Sequence, residues 1–123
     1  MEESLLERLK ILLDAEMISK QNYFETMLVM KKLFEKINCL DQERMEVFAT
    51  HYATSIQRID NKDEDFEVDI NIRNSILEMP NSKEITDVLE EIKSLTKRQY
   101  PIGEETLLLV HLSNLITNKK GGE

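Results

Sequence analysis

Two histidines are the residues of this chain best suited to chemistry, and each lies inside a segment with helical periodicity. His51 begins the stretch HYATSIQR (residues 51–58), and His111 lies in PIGEETLLLVHLSNLI (residues 101–116). A neutral imidazole has a ring nitrogen available near pH 7, so histidine can accept a phosphoryl group. Both histidines are candidate phosphoacceptors. The alternative, from the same residues, is that each is a histidine at the border of a core with a hydrogen-bond partner.

Arginines flank His51 on its predicted helix. Positions 44, 47, 51, 54, 55 and 58 share one face, which is polar and basic. This face borders the predicted core stripe of the helix, which consists of Met45, Phe48, Tyr52, Ile56 and Ile59,. A phosphoryl group adds about −1.5 to −2 charges, which Arg44 and Arg58 could hold. The helical rise places Arg58 about 10.5 Å along the axis from His51, so help from another helix or subunit is expected.

His111 has a less polar face on the last predicted helix. Leucines 107, 108 and 115 share this face with Glu104, Asn114 and Asn118. Spacing therefore places His111 partly among leucines, with polar neighbours on one flank.

Other chemistry is sparse in the sequence. HExxH, CxxC, GxSxG and a glycine-rich phosphate loop are all absent,. The sequence therefore predicts no catalytic residues, no metal site and no cofactor, and it does not favour an enzyme. The six methionines fall mostly on apolar stripes and are expected in the core,.

Composition narrows the class of protein. The 123 residues carry 16 Lys and Arg against 24 Asp and Glu, a net charge of −8, so direct binding of nucleic acid is not expected,. No apolar run approaches the roughly 20 residues of a membrane span, and no membrane association is expected. The acidic start after Met1 does not resemble a signal peptide, and the single cysteine, Cys39, cannot form an internal disulfide,. A cytoplasmic location is predicted.

Helical periodicity runs through nearly every segment, which predicts an all-α bundle of five to six helices. The predicted helices cover residues 3–17, 20–37, 41–58, 68–78 and 103–118, and a further helix follows residues 81–84. The apolar residues of that further helix are Ile85, Val88, Leu89, Ile92 and Leu95. Ser19 and Asp41 are predicted N-caps, and NSKE (residues 81–84) predicts a capping box. The second helix is predicted to have Tyr23, Met27, Met30, Phe34 and Ile37 on one apolar face, with Phe24 and Leu28 beside it. We predict one domain over residues 1–118 and a disordered tail over residues 119–123.

The two histidine segments together resemble a known family. HYATSIQR resembles the H-x-x-x-A-I-x-R run of the PTS-regulation domain, which recurs in bacterial antiterminators and activators controlled by the sugar phosphotransferase system. PIGEETLLLVHLSNLI resembles the family's second run, P-x-x-E-x-x-x-I-A-L-H-I-x-N. The matching positions in the second run are Pro101, Glu104, His111, Leu112 and Asn114. Ser55 stands where the family often has alanine. The resemblance covers residues 4–118.

This resemblance implies a fold and a function. The family's domain is a helical bundle that accepts phosphoryl groups on histidine from the phosphocarrier protein or from a permease's B component. The phosphoacceptors implied here are His51 and His111, with Arg58 and Glu104 as motif neighbours. Phosphorylation is expected to shift a homodimer between arrangements and so to control transcription or antitermination through protein–protein contacts.

One architectural feature departs from the family. Its regulators usually carry a separate RNA-binding or DNA-binding domain, and no such domain is expected within these 123 residues. The chain is expected to be either a natural stand-alone domain that acts through a partner or a piece of a larger regulator. The alternative function is a helical dimerisation or adaptor protein without phosphoacceptor activity.

Overall fold

The computed structural model describes residues 3–37, 41–65 and 67–116, and within these ranges every regular element is an α-helix. The elements are α1 (Glu3–Asp14), α2 (Lys20–Lys36), α3 (Gln42–Asp60), α4 (Ile70–Leu77), α5 (Ser82–Thr96) and α6 (Ile102–Leu115). The prediction of an all-α fold with five to six helices is confirmed for this part of the chain. Cys39 and the predicted tail over 119–123 lie outside the described residues.

The helices group into two compact units. The first unit (Met1–Glu64) contains α1, α2 and α3, and the second unit (Asp65–Glu123) contains α4, α5 and α6. In the first unit α3 packs against both α1 and α2, and in the second α6 packs against both α4 and α5. The prediction of one domain over residues 1–118 concerns how the two units sit together and stays a prediction.

Helix starts in the first unit follow the local sequence. The Ser19 side chain accepts a hydrogen bond of 3.1 Å from the Asn22 amide, and Asp41 Oδ1 accepts one of 3.2 Å from the Arg44 amide. Both predicted N-caps are therefore confirmed. The predicted core stripe of α3 is buried over its first four members, which are Met45, Phe48, Tyr52 and Ile56.

The buried face of α2 differs from the prediction. Asn22 and Thr26 are fully buried, whereas Phe24 and Leu28 are exposed. The physical reason is a polar contact with α3, in which Asn22 Nδ2 donates to Gln57 Oε1 at 2.9 Å and to Asp60 at 2.8 Å. A buried amide whose hydrogen bonds are made can occupy a core position. Of the five residues on the predicted apolar face, only Met30 and Ile37 are buried.

A buried carboxylate joins α1 to α3. Glu46 Oε1 lies 2.8 Å from Arg8 Nε, and its other oxygen accepts hydrogen bonds from Ser4 and, at 3.1 Å, from Gln42. The hydrogen bond from Ser4, followed by that from Gln42, lowers the pKa of Glu46 despite its burial. The charged form of Glu46 therefore stabilises the contact between the two helices.

The start of α6 depends on a residue far away in the sequence. Pro101 precedes the helix and has no side chain that can cap it. Asp65 supplies the cap, because its two carboxylate oxygens accept from the amides of Gly103 at 2.9 Å and Glu104 at 3.2 Å. A negative charge here also suits the positive end of the helix dipole.

Two predictions about the second unit are wrong in detail. The capping box at residues 81–84 does not form, because Asn81 makes no side-chain cap bond and instead donates to the Ile116 carbonyl at 2.6 Å. The helix predicted from residue 68 begins at Ile70, where Asp69 provides the cap. Of its apolar residues only Ile76 is buried, and Ile72 and Leu77 are exposed.

Candidate functional site

His51 lies on the exposed side of α3, and the helix is anchored on its other side. The residues after it, Tyr52 and Ala53, are fully buried. The Tyr52 ring stacks with Phe48 at a centroid distance of 6.2 Å, and its hydroxyl donates to Glu25 Oε2 at 3.1 Å. The backbone that carries His51 is therefore fixed by packing, while the imidazole faces solvent.

The two arginines predicted beside His51 lie one heptad before and after it. Arg44 is exposed, and its Nε lies 3.3 Å from Asp41 Oδ2, in an ion pair at the start of α3. Arg58 is half-buried near the end of the same helix. Because seven residues of helix span about 10.5 Å along the axis, both side chains would have to extend along α3 to reach a group on His51.

Hydroxyl groups one turn beyond His51 are directed toward the backbone. Thr54 Oγ1 lies 3.0 Å from the Thr50 carbonyl and 3.2 Å from the carbonyl of His51. Such back-bonding satisfies a side chain within its own helix. Ser55, which stands where the resembled family often has alanine, is buried. Of these three residues, His51 is the one whose side chain is exposed.

His111 has a more enclosed position on α6. The imidazole is half-buried, and the leucines on the inner side of the helix, Leu108, Leu112 and Leu115, are buried. Asn114 on the next turn is exposed. Neither histidine is deeply buried, but the two have different surroundings.

The second motif neighbour, Glu104, is buried rather than beside solvent. It is only 3% exposed, and its amide donates to Asp65 in the cap of α6. Glu104 and His111 are seven residues apart and share a helix face, yet their exposures differ because Glu104 lies in the capped first turn of α6. Glu104 therefore belongs to the buried start of α6, about 10.5 Å along the helix axis from His111.

The candidate phosphoacceptors belong to different units. His51 lies in the first unit with Arg44 and Arg58, and His111 lies in the second with Glu104 and Asn114. Within the described ranges, no group of three or more His, Cys, Asp or Glu side chains is arranged to hold a metal ion.

Comparisons of the chain with models of known protein families, with curated proteins and with solved structures find no match. The resemblance to the PTS-regulation domain therefore depends on the two histidine motifs and their spacing. A search of the described helices for a membrane span finds none with the length and hydrophobicity to cross a bilayer.

Proposed function

We propose that this protein is a phosphorylation-responsive regulatory module of the sugar phosphotransferase system. His51 and His111 accept phosphoryl groups from the phosphocarrier protein or from a permease's B component. The protein then acts in the cytoplasm, through protein–protein contacts, on transcription or antitermination.

The observation that carries this proposal is the accessibility of both histidines on otherwise packed helices. A donor protein must bring its phosphoryl group in line with a ring nitrogen, which requires an imidazole that solvent can reach. His51 is exposed and His111 is half-buried, while the helices that carry them are anchored by buried side chains on the opposite face. These are also the two positions at which the sequence matches the family's motifs.

We expect phosphoryl transfer to both histidines when the purified protein is incubated with the phosphotransferase cascade and phosphoenolpyruvate. Intact-protein mass spectrometry should show up to two added phosphoryl groups. His51→Ala and His111→Ala should each remove one, and the double variant should remove both. The acid lability of phosphohistidine provides a second readout. Thr54→Ala, which removes a hydroxyl one turn from His51, is the matched control and should leave incorporation unchanged. Undiminished labelling of the double histidine variant, or no labelling of the native chain, would contradict the proposal.

A second candidate function is a helical dimerisation or adaptor protein. It is favoured by the side of α2 that faces away from α3, where Phe24 is 55% exposed and Leu28 is 49% exposed. The two side chains are neighbours at i and i+4, and the Tyr23 ring packs edge-on against Phe24 at 5.3 Å,. A pair of large apolar side chains in solvent is typical of a surface that binds another protein.

We expect the protein to be a homodimer that uses this side of α2. In sedimentation velocity at micromolar concentrations, the native chain should sediment at twice the monomer mass. The double variant Phe24→Ser, Leu28→Ser should shift toward monomer, because it removes exposed apolar area that the interface would bury. Ile102→Ser is the matched control, since Ile102 is equally exposed at 55% but lies on α6. A native chain that remains monomeric at high micromolar concentration would exclude the dimer.

A further inference from the structure

The second unit has an apolar groove between α6 and the segment that leads into α4. Its volume is about 250 Å³, and Val68 and Ile72 on one side face Leu107 and Val110 on the other. These side chains are half-buried or, for Ile72, 48% exposed, so their apolar surface is open to solvent.

Polar groups inside the groove have their hydrogen bonds made. The Thr106 hydroxyl donates to the Ile102 carbonyl at 2.8 Å and accepts from Arg73 Nη1 at 2.9 Å. The groove can therefore offer a ligand mainly apolar contact. A small polar metabolite needs placed donors and acceptors for its orientation, and this lining does not favour one.

The rim of the groove is acidic. Glu67 and Asp69 flank Val68, and none of the described lining residues is basic. One oxygen of Asp69 accepts from the Asn71 amide at 3.0 Å, at the start of α4. The nearby cation, Arg73, is bound to Glu105 at 2.6 Å. The groove therefore presents negative charge around an apolar floor.

The volume of the groove indicates which kind of ligand it can hold. Pockets for drug-sized ligands usually measure about 300–1,000 Å³, so this groove is small for a cofactor. It has room for one or two apolar side chains, which is the space that an amphipathic peptide needs for its anchor residues. Complementarity of charge requires basic residues beside those anchors.

We propose that this groove is a docking site for a partner protein segment that is amphipathic and basic, with one or two large apolar anchors flanked by Lys or Arg. The occupant is a peptide segment rather than a membrane or a nucleic acid. Binding here needs no phosphoryl group on either histidine, so the proposal extends beyond the phosphoacceptor function and can be tested apart from it.

The test uses a synthetic helical peptide of leucine and lysine, with leucines at i, i+3, i+4 and i+7, and the full unphosphorylated chain labelled on its Ile, Leu and Val methyl groups. We expect the largest chemical-shift changes at Val68, Ile72, Leu107 and Val110. Ile72→Gln should weaken binding about tenfold, because it replaces apolar surface that the peptide would bury. Ile11→Gln is the matched control, as Ile11 is 65% exposed in the first unit, and it should change affinity by less than about twofold,.

The charge of the rim is tested by a second pair of variants. Glu67→Gln should lower the affinity for the peptide a fewfold. Glu84→Gln makes an equal change of charge at an exposed position of α5 and should leave the affinity unchanged. A scrambled peptide of the same composition distinguishes docking from general attraction to an acidic protein, and it should bind at least about tenfold more weakly. The proposal is overturned if the scrambled peptide binds equally, if Ile72→Gln and Ile11→Gln have the same effect, if the shifts centre on the first unit, or if the peptide does not bind at millimolar concentration.

Discussion

Replacing Glu105 with glutamine is expected to lower the free energy of unfolding by about 2 kcal/mol. Glu105 lies between two cations: Arg73 Nη2 is 2.6 Å from one carboxylate oxygen, and Lys93 contacts the other. The side chains of Glu105 and Arg73 are only 14% and 20% exposed. Glutamine keeps the shape but leaves both cations without their shared counter-charge, in a place where water compensates only partly. The value lies below that for a fully buried pair because Lys93 remains 31% exposed,.

The matched control is Glu90, a second carboxylate that contacts Lys93. Glu90 Oε2 is 3.7 Å from Lys93 Nζ, but the Glu90 side chain is 70% exposed. Glu90→Gln should change stability by less than about 0.5 kcal/mol, because exposed ion pairs contribute little. Urea denaturation followed by far-ultraviolet circular dichroism measures both variants. Equal losses from the two substitutions would show that Glu105 does not act as the buried centre of this cluster.

The same cluster gives a stability that depends on pH. Burial works to raise the pKa of Glu105, but the hydrogen bonds from Lys93 and Arg73 outweigh it and hold the pKa below its ordinary value of 4.5. Because the folded-state pKa is depressed, the stabilisation is complete above the unfolded-state value and is lost as pH falls through the folded-state value. The stability gap between the native protein and Glu105→Gln should therefore narrow as the pH falls below about 4.5,.

Features set by neighbouring residues in the sequence were predictable. The caps at Ser19 and Asp41 each use an amide three residues later, so the local sequence is sufficient to identify them. The core stripe of α3 follows from helical spacing because most of its apolar residues lie on one side. The exposure of His51 follows from its position at the border of that stripe.

Features set by distant residues were not predictable in the same way. Asp65 caps an amide 38 residues later, and Asn22 bonds to Asp60 across the same separation. Nothing in one helix indicates such a partner, so the sequence of α2 alone does not predict that Asn22 is buried. One signal was available for Asp65: α6 begins after Pro101 without a capping side chain of its own, which requires a cap from elsewhere.

Helical spacing also gives an incomplete account of the residues around the two histidines. Spacing alone placed Arg44 on the face of His51, but Asp41, three residues before Arg44, forms an ion pair with it at the helix start. Spacing also placed Glu104 on the face of His111, although the cap from Asp65 lies over the first turn of α6 and Glu104 is buried. A shared helix face therefore predicts on which side of the helix a residue lies, but it does not predict how deeply the side chain is buried.

The difference in depth leads us to expect opposite consequences of negative charge at the two histidines. His51→Asp places a carboxylate on an exposed turn of α3, with Arg44 and Arg58 one heptad away on either side. Water solvates such a charge, and the arginines attract it, so the free energy of unfolding should change by less than about 0.5 kcal/mol.

His111→Asp places the same charge on a half-buried turn of α6, beside the buried Leu108 and Leu112. Partial removal of a carboxylate from water is unfavourable. Negative charge is also unfavourable toward the C-terminal end of a helix, where the dipole is negative, and α6 ends at Leu115,. We expect a loss of about 1–2 kcal/mol, together with looser packing of α6 on its neighbours.

Thermal melting and sedimentation of the two aspartate variants measure this contrast. The neutral variants His51→Asn and His111→Asn separate the effect of the added charge from the effect of losing the imidazole. The difference between Asp and Asn should be near zero at position 51 and clearly destabilising at position 111. Aspartate carries less charge than a phosphohistidine, so the phosphoryl group itself should act in the same direction and more strongly. If both positions respond equally in melting and assembly, the two histidines do not have distinct roles. If the contrast holds, we propose that a phosphoryl group on His51 would create a surface for recognition, whereas one on His111 would change the packing of the second unit.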